Sequence, residues 1–434
     1  MIGVAASPDR TYSSDLPAAI GREVLMRGWL LRKRDLGGIR FILVRDRDGV
    51  FQVTAVKAKC SPELFGDMDS IPLESVIEIR GTAKEMKQAP GGVEVAPGSI
   101  GVLSKSESPL PLDVTEKVGA DIDTRLDNRS IDLRRIGTRA LFKLRSRVLK
   151  YIREFFENEG YTEINTPKII ASASEGGTEL FPIAYFEREA FLAQSPQLYK
   201  EELVPVFEKV WEIAPIFRAE SHNTTRHLNE SMSIDIEQAF ATCPDVMDVA
   251  QRLLARVVDR VLQNDRGLLG IAGAKLRALS LPLPVLTYRE AIDIASRKGA
   301  KIEWGEDIGT AAAKKIGSEV RKPYFIVDWP DDLKPFYIQP KGDGLSHGFD
   351  LMWKHIELAS GGQRVHDKDL LEERLKDRGL NPRDFDYHLQ PFRYGMPPHS
   401  GWAIGVERLM MVLTGKTNIR EVCLFPRDRL RLVP

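Results

Sequence analysis

The sequence predicts an α+β protein: a small five-stranded β-barrel, then a larger domain on an antiparallel sheet flanked by helices. Three observations lead there. Residues 21–105 carry short runs rich in Val, Ile and Phe, punctuated by Gly37-Gly38, Asp48-Gly49 and Pro90-Gly91-Gly92, the signature of strands joined by tight turns. Beyond residue 136, strand-like and helix-like runs do not alternate regularly, which argues against a doubly wound parallel sheet. The 434 residues exceed what one core usually holds.

The barrel strands are read from EVLMRGWLLRKRD, IRFILVRDRDGVFQVTAV, SVIEIRGTAKEM and GVEVAPGSIGVLS. Five short strands in about 85 residues suit a closed barrel, of which the OB-fold is the common five-stranded type. The domains are therefore expected at 1–105 (barrel) and 136–434, with a linker over 106–135 that begins in SESPLPLDV. Leu141, Leu144, Val148, Ile152 and Phe155 recur at helical spacing, with Gly160 as the stop. A strand is expected in YTEINTPKII (161–170), then further strands in VWEIAPIFRAE and SMSIDIEQAF. A helix follows over 244–263. Residues 264–325 yield no clear pattern. Strands are expected in FIVDWP, FYIQP and FDLMWKHIELASGGQ, a charged helix over 368–379, and a strand running into a helix in GWAIGVERLMMVLTGK.

Charge and composition narrow the function. Lys+Arg and Asp+Glu are both 62, which excludes a uniformly basic nucleic-acid coat but not a local basic patch. Three cysteines without metal or redox spacing are read as reduced thiols. With no long apolar run and no signal layout at the N-terminus, the expectation is a cytoplasmic protein with no membrane partner. Gly415-Lys416-Thr417 ends like a P-loop, but Met410 stands where its first glycine belongs, and the triplet follows a helix instead of opening one.

Three segments carry chemistry. In FRAESHNTTRHLNESMSIDIE (217–237), Arg218 and Glu220 are two apart on an expected strand and so share a face. Ser233, Asp235 and Glu237 share a face of the next strand, and the loop between adds Arg226 and His227. Arginines so placed suit a phosphate-bearing ligand. In GWAIGVERLMMVL (401–413), Gly401, Ala403 and Gly405 permit close approach to the backbone, and Arg408 opens a helix. In FDLMWKHIELASGGQRVHD (349–367), Asp350, Glu357 and Ser360 offer hard oxygen donors, as Mg²⁺ shared with substrate phosphates requires.

Together these segments resemble the class II aminoacyl-tRNA synthetases: motif 2 in the FRAE hairpin, motif 3 in the G-x-G-x-E-R strand–helix, and motif 1 in 141–170 with its Pro167. SEGGTELF (174–181), AQSPQLYK (193–200), ELASGGQRVHD (357–367), RYGMPPHSGWAIGVERL (393–409) and NIREVCLFPRD (418–428) place the resemblance in the aspartyl branch of compact archaeal type. It covers nearly the whole chain.

The resemblance implies ATP-dependent activation of L-aspartate to an aspartyl-adenylate, then transfer to tRNA(Asp), with tRNA(Asn) left open as a second acceptor. It implies Arg218 between the α-phosphate and the amino-acid carboxylate, Glu220 on the adenine amino group, and Arg226, His227, Leu228, Gly405 and Arg408 about the nucleotide, with Arg408 on the γ-phosphate. Glu357 and Ser360 are the implied Mg²⁺ positions, with Asp350 as helper. Lys200 and Arg364 are the implied partners of the aspartate side chain. Gln197 and Asp235 match the ammonium site, Ser360 borders the amino acid, and Glu175 belongs to a loop closing over it. An amide substrate is expected to leave Lys200 and Arg364 without a counter-charge, so Lys200 favours aspartate over asparagine. Where relatives have a phenylalanine on the adenine, this chain has Ser231, which leaves His227 or Met232 for the stack. In the barrel, residues 22–47 hold eight basic and three acidic side chains. Phe41, Gln52, Arg32 and Arg34 match anticodon-binding positions. The positions that separate one-tRNA from two-tRNA behaviour lie near Leu31 and Lys87–Pro90, and Leu31 fits neither expected pattern. A homodimer through motif 1 is implied. The asparaginyl branch is the nearest alternative. A tRNA-independent asparagine synthetase, which lacks the barrel, is a more distant one.

Overall fold

The structure, a computed structural model, describes residues 9–171, 180–220 and 224–434. It forms two compact units, Met1–Thr124 and Arg125–Pro434.

The first unit holds β1 (Glu23–Asp35), β2 (Ile39–Arg45), β3 (Val50–Val56), α1 (Pro62–Ser70), β4 (Val76–Glu85) and β5 (Val93–Ser104). The strands close into a barrel in the order β1-β2-β3-β5-β4. Strict alternation along β3 sends Phe51, Val53 and Ala55 into the core with Ile42 and Val44 of β2. The same alternation leaves Phe41, Gln52 and Thr54 half-buried on the outer face. Leu31 falls where the β1–β2 register shifts, and it is buried.

Helix α2 (Ile122–Asp127) spans the division between the units, and in the second unit α3 (Arg129–Asp132) precedes α4 (Ile136–Asn158). All five apolar positions expected on one face of α4 are buried. Gly160 follows at φ 74°, where the chain turns off the helix with the Tyr161 amide donating to the Phe156 carbonyl. The stretch 161–170 is not one strand but two short ones, β6 (Thr162–Glu163) and β7 (Ile169–Ile170). Pro167 lacks a donor for a ladder, and Thr166 gives its amide and hydroxyl to Glu212 instead.

Next come β8 (Pro182–Tyr185), β9 (Arg188–Leu192), α5 (Gln197–Phe207), β10 (Lys209–Phe217), β11 (Glu230–Ala239), α6 (Cys243–Asn264) and α7 (Arg266–Ile271). The unread stretch 264–325 also holds β12 (Val285–Thr287), α8 (Tyr288–Arg297) and α9 (Thr310–Val320). With β13 (Pro323–Val327), these elements build a cluster of their own around Tyr288, Ile316, Tyr324 and Trp329. The remainder is β14 (Pro340–Gly342), β15 (Leu345–Ser346), β16 (Gly348–Trp353), β17 (Ile356–Gln363), α10 (Lys368–Asp377), α11 (Asp386–Phe392), β18 (His399–Gly405) and α12 (Val406–Thr414). FYIQP is largely not strand: Phe336, Tyr337 and Ile338 are all buried, and Ile338 makes one isolated bridge to Arg364.

The main sheet has eight strands in the order β12-β13-β16-β17-β18-β11-β10-β6. Its centre is antiparallel, as expected, but the two edge pairs, β12/β13 and β6/β10, are parallel. Helices α4 and α6 pack on one face around Phe156, Trp211 and Trp402, with Phe156 and Trp211 stacked 4.6 Å apart. Among the described residues no helix is long and apolar enough to cross a membrane.

Candidate active site

The polar face of β11 is not solvated. Ser233, Asp235 and Glu237 are 3%, 1% and 0% exposed, while Ile234 and Ile236 enter the opposite core. Buried carboxylates need partners. Lys200, on α5, places Nζ 3.1 Å from Asp235 Oδ1 and 3.5 Å from Glu237 Oε2. Arg364, just past β17, forks onto both Glu237 oxygens at 2.9 and 3.2 Å. Burial opposes the Arg364 charge, and Glu237 more than restores it, so its pKa is raised. Gln197 accepts from Arg364 at 3.4 Å and donates to Glu201. Burial pushes the Glu201 carboxyl up, but His399, His388 and Arg364 hold it at about 2.

Gly401 explains how Glu237 fits. A Cβ there would lie 2.3 Å from Glu237 Oε2 and from the Ile236 carbonyl. The close approach expected of this glycine is thus made by a neighbouring strand and its carboxylate. Ala403 borders the cavity above, whereas a Cβ on Gly405 would meet nothing nearer than the Arg408 side chain at 3.8 Å.

That cavity, about 240 Å³, is lined by Gln197, Arg218, Ser233, Asp235, Ser360 and Arg364, together with Lys334, Tyr337 and Glu357. Lys200 does not line it but is buried behind Asp235, 1% exposed. This changes the expected selection argument: Asp235 and Glu237 already supply the counter-charges that an amide substrate was expected to leave missing.

A second cavity of about 210 Å³ adjoins it through Glu357. Arg226, His227, Asp350, Glu357 and Arg408 converge there, with the N-terminal turn of α9. Register explains the oxygen donors: Asp350 is opposite Ser360, and Met352 is opposite Glu357. Arg408 donates to the Glu357 carbonyl at 3.0 Å and lies 3.4 Å from its carboxylate. Burial lowers the His227 pKa to about 4, reinforced by Arg408 and Arg226. Asp350 is buried, which raises its pKa, and Lys334 opposes the shift from 2.8 Å. Glu357 is the more accessible carboxylate, its side chain 48% exposed. Asp350 and Glu357 line this arginine-rich cavity, and Ser360, opposite Asp350, lines the first one beside Glu357; two carboxylates next to arginines suit a Mg²⁺ held jointly with phosphates, the mode with few protein ligands. Among the described residues no closed cage of three or more metal-ligating side chains exists.

Other expectations land elsewhere. β10 ends at Phe217, so strand alternation does not align Arg218 with Glu220. Glu220 lines a third cavity, about 590 Å³, with Phe217, Asn229, Glu230 and Arg427. Leu228 is a core residue, its side chain packed in the main cluster. Of the two stacking candidates, His227 faces the second cavity and Met232 packs against the core. Pro167 is exposed. Glu175 lies outside the described residues.

In the barrel, Gln52 donates to Glu94 at 2.9 Å and to Thr54 at 3.2 Å. Much of the basic excess is spent internally: Arg27 pairs with Glu78, Arg40 with Asp35 and Arg45 with Glu74. Arg32 and Arg34 are exposed, with no carboxylate in ion-pair range among the described residues.

Sequence reading missed Lys334 and the role of Glu237 as a counter-ion. A signal for Lys334 existed: one lysine inside the apolar run LKPFYI is out of place unless its ammonium has a buried partner.

Comparison with known proteins comes to the same region. Residues 121–429 match the family described as tRNA synthetases class II (D, K and N), and residues 24–103 match the OB-fold nucleic acid binding domain. The chain is 52% identical to the Aspartate--tRNA(Asp/Asn) ligase of Archaeoglobus fulgidus, over 98% of this chain and 100% of that one. It is 51% identical to the protein of the same name from Methanopyrus kandleri, over 98% and 99%. Among solved structures, asparaginyl-tRNA synthetase from Pyrococcus horikoshii complexed with asparaginyl-adenylate superposes with a TM-score of 0.93 at 30% identity, covering 99% of this chain and all of that one.

Proposed function

The chain belongs to the class II tRNA synthetases of the D, K and N group, and from that premise we propose that it ligates L-aspartate to tRNA(Asp), and also to tRNA(Asn), through an aspartyl-adenylate. The carrying observation is the pair of adjoining cavities: a sealed charge cluster fit for a small zwitterion, beside an arginine-lined pocket fit for phosphates, with Glu357 common to both. The charging of both tRNAs is supported by relatives about half identical whose names state it.

In this reading aspartate occupies the first cavity. Its ammonium faces Asp235 and Gln197, its side-chain carboxylate faces Arg364 with Lys200 behind Asp235, and Ser360 borders it. Arg218 holds the α-carboxylate against the α-phosphate of ATP. The carboxylate oxygen attacks the α-phosphorus, and the bond to the β-phosphate breaks with its electrons leaving on pyrophosphate. A terminal tRNA hydroxyl then attacks the acyl carbon, releasing AMP. No protein nucleophile is required; positioning and charge do the work.

Arg226, His227 and Arg408 take the outer phosphates, and Glu220 takes the adenine amino group. Leu228 and Gly405 offer the nucleotide backbone at most. Glu357 and Ser360, with Asp350, would hold Mg²⁺, which supplies charge neutralisation of the phosphates. In the barrel, Phe41 stacks on an anticodon base, Gln52 reads an edge, and Arg32 and Arg34 meet the backbone. Pro167 sits in the segment proposed to pair two copies as a homodimer.

The likeness to a solved asparaginyl enzyme keeps asparagine as the second reading. Charging of each purified tRNA with labelled aspartate and labelled asparagine decides between them. Aspartate on both tRNAs is the expected result, and asparagine alone overturns the proposal.

A further inference from the structure

Beside the phosphate pocket lies a cavity of about 150 Å³ whose lysines have no part in the scheme above. It is lined by Arg226, Lys314, Lys354, His355 and Lys416, with Thr310 among its hydroxyls and no acidic side chain. Lys416 has Glu421 at 3.1 Å. Lys314 and Lys354 have no carboxylate in ion-pair range among the described residues. His355 adds a polar ring to the same wall. Like charges gathered this way repel one another, and an anion relieves the repulsion.

The cavity adjoins the phosphate pocket across a common wall. Arg226, Thr310, His355 and Ile356 line both, and Arg226 donates to the Thr310 hydroxyl where α9 begins. At about 150 Å³ it is the smallest of the three adjoining cavities and admits a small inorganic anion. The region 264–325 thus gains a function: α9 brings Thr310 and Lys314 to one side, β16–β17 bring Lys354 and His355, and the end of α12 brings Lys416. The last belongs to the Gly-Lys-Thr triplet that is not a P-loop.

We propose that this cavity is an exit site for inorganic pyrophosphate, which passes from Arg226 to Lys314, Lys354 and Lys416 once the α–β bond has broken. The inference rests on the adenylate-forming reading of the neighbouring pocket.

The test compares the full-length protein with Lys314→Ala, Lys354→Ala, Lys416→Ala and the triple variant. Each is assayed for aspartate-dependent exchange of labelled pyrophosphate into ATP, and each is titrated with inorganic pyrophosphate by calorimetry. The triple variant is expected to raise the pyrophosphate KM and Kd about tenfold or more, with the ATP KM within about twofold and partial recovery in Lys→Arg counterparts. Equal rises for ATP and pyrophosphate would assign the lysines to the triphosphate pocket and overturn the inference. A changed tRNA KM with unchanged pyrophosphate constants overturns it too, in favour of RNA phosphates, as does no change at all. Absence of exchange in the unaltered protein would instead sink the adenylate reading.

Discussion

The two adjoining cavities use charge in opposite ways. In the amino-acid cavity the cations are paired before any ligand arrives: Lys200 and Arg364 are held by Asp235 and Glu237, all within a few per cent of full burial. In the phosphate cavity Arg226 has no carboxylate in ion-pair range among the described residues, and Arg408 meets only the half-exposed Glu357. The difference follows from desolvation. A buried cation without a partner costs several kcal/mol, so the sealed site must carry its own anions. A partly exposed arginine can wait for a phosphate at a smaller cost. Selection of aspartate is then an exchange within a neutral network, and nucleotide binding is a filling of unmet positive charge.

The largest effect should come where both cavities meet the reacting atoms. Arg218→Ala or Arg408→Ala is expected to lower kcat/KM for aspartate-dependent exchange by roughly 10²–10³, as for other electrostatic clamps. Near-normal exchange would remove that residue from the chemistry. A direct test of the contrast compares two carboxylates. Glu237→Gln should destabilise the fold by about 3–5 kcal/mol in denaturant unfolding, because Arg364 and Lys200 stay buried with too little negative charge. Glu357→Gln should shift stability by about 0.5 kcal/mol or less while impairing nucleotide binding. Equal destabilisation would erase the distinction.

A smaller effect is expected in the barrel. Phe41→Ala should weaken tRNA charging by about 1–3 kcal/mol and leave aspartate-dependent exchange intact. Lys200→Leu should narrow the preference for aspartate over asparagine by about tenfold, read from competing exchange rates. Unchanged selectivity would leave Arg364 as the sole discriminator.

The smallest effect is on protonation. His227 sits at about 4, well below an ordinary histidine, so it stays neutral from pH 8 to about 5. The unfolded chain takes up that proton near pH 6.5 and the native one near 4. This residue's contribution to stability therefore falls as pH drops through that window. An imidazole titration by NMR should find the low value in the free protein, and a rise when a triphosphate binds.

Much was legible in the chain because local pattern and local chemistry agree. The barrel strands, the α4 stripe and the Gly160 stop are short-range features, and each appears where expected. The three motif segments supplied about half of the residues lining the two cavities, and most of the charged ones. The misses have a common cause. Thr166 leaves the ladder to bond Glu212, 46 positions away, and Ile338 bridges Arg364 instead of joining a strand. The end of β10 at Phe217, before Arg218 and Glu220, likewise depends on what the neighbouring chain offers.

By itself the sequence determined the barrel, the central antiparallel sheet, the family and the set of polar residues that carry the chemistry. All of these depend on periodicity, turn residues and ordered motifs. Only the tertiary structure decided which charges are spent internally. Glu237 neutralises Arg364 across 127 positions of chain, Lys334 neutralises Asp350, and Gly401 is small because Glu237 occupies the space above it. Burial sets the cost of each charge, and burial is a property of packing that no local pattern encodes.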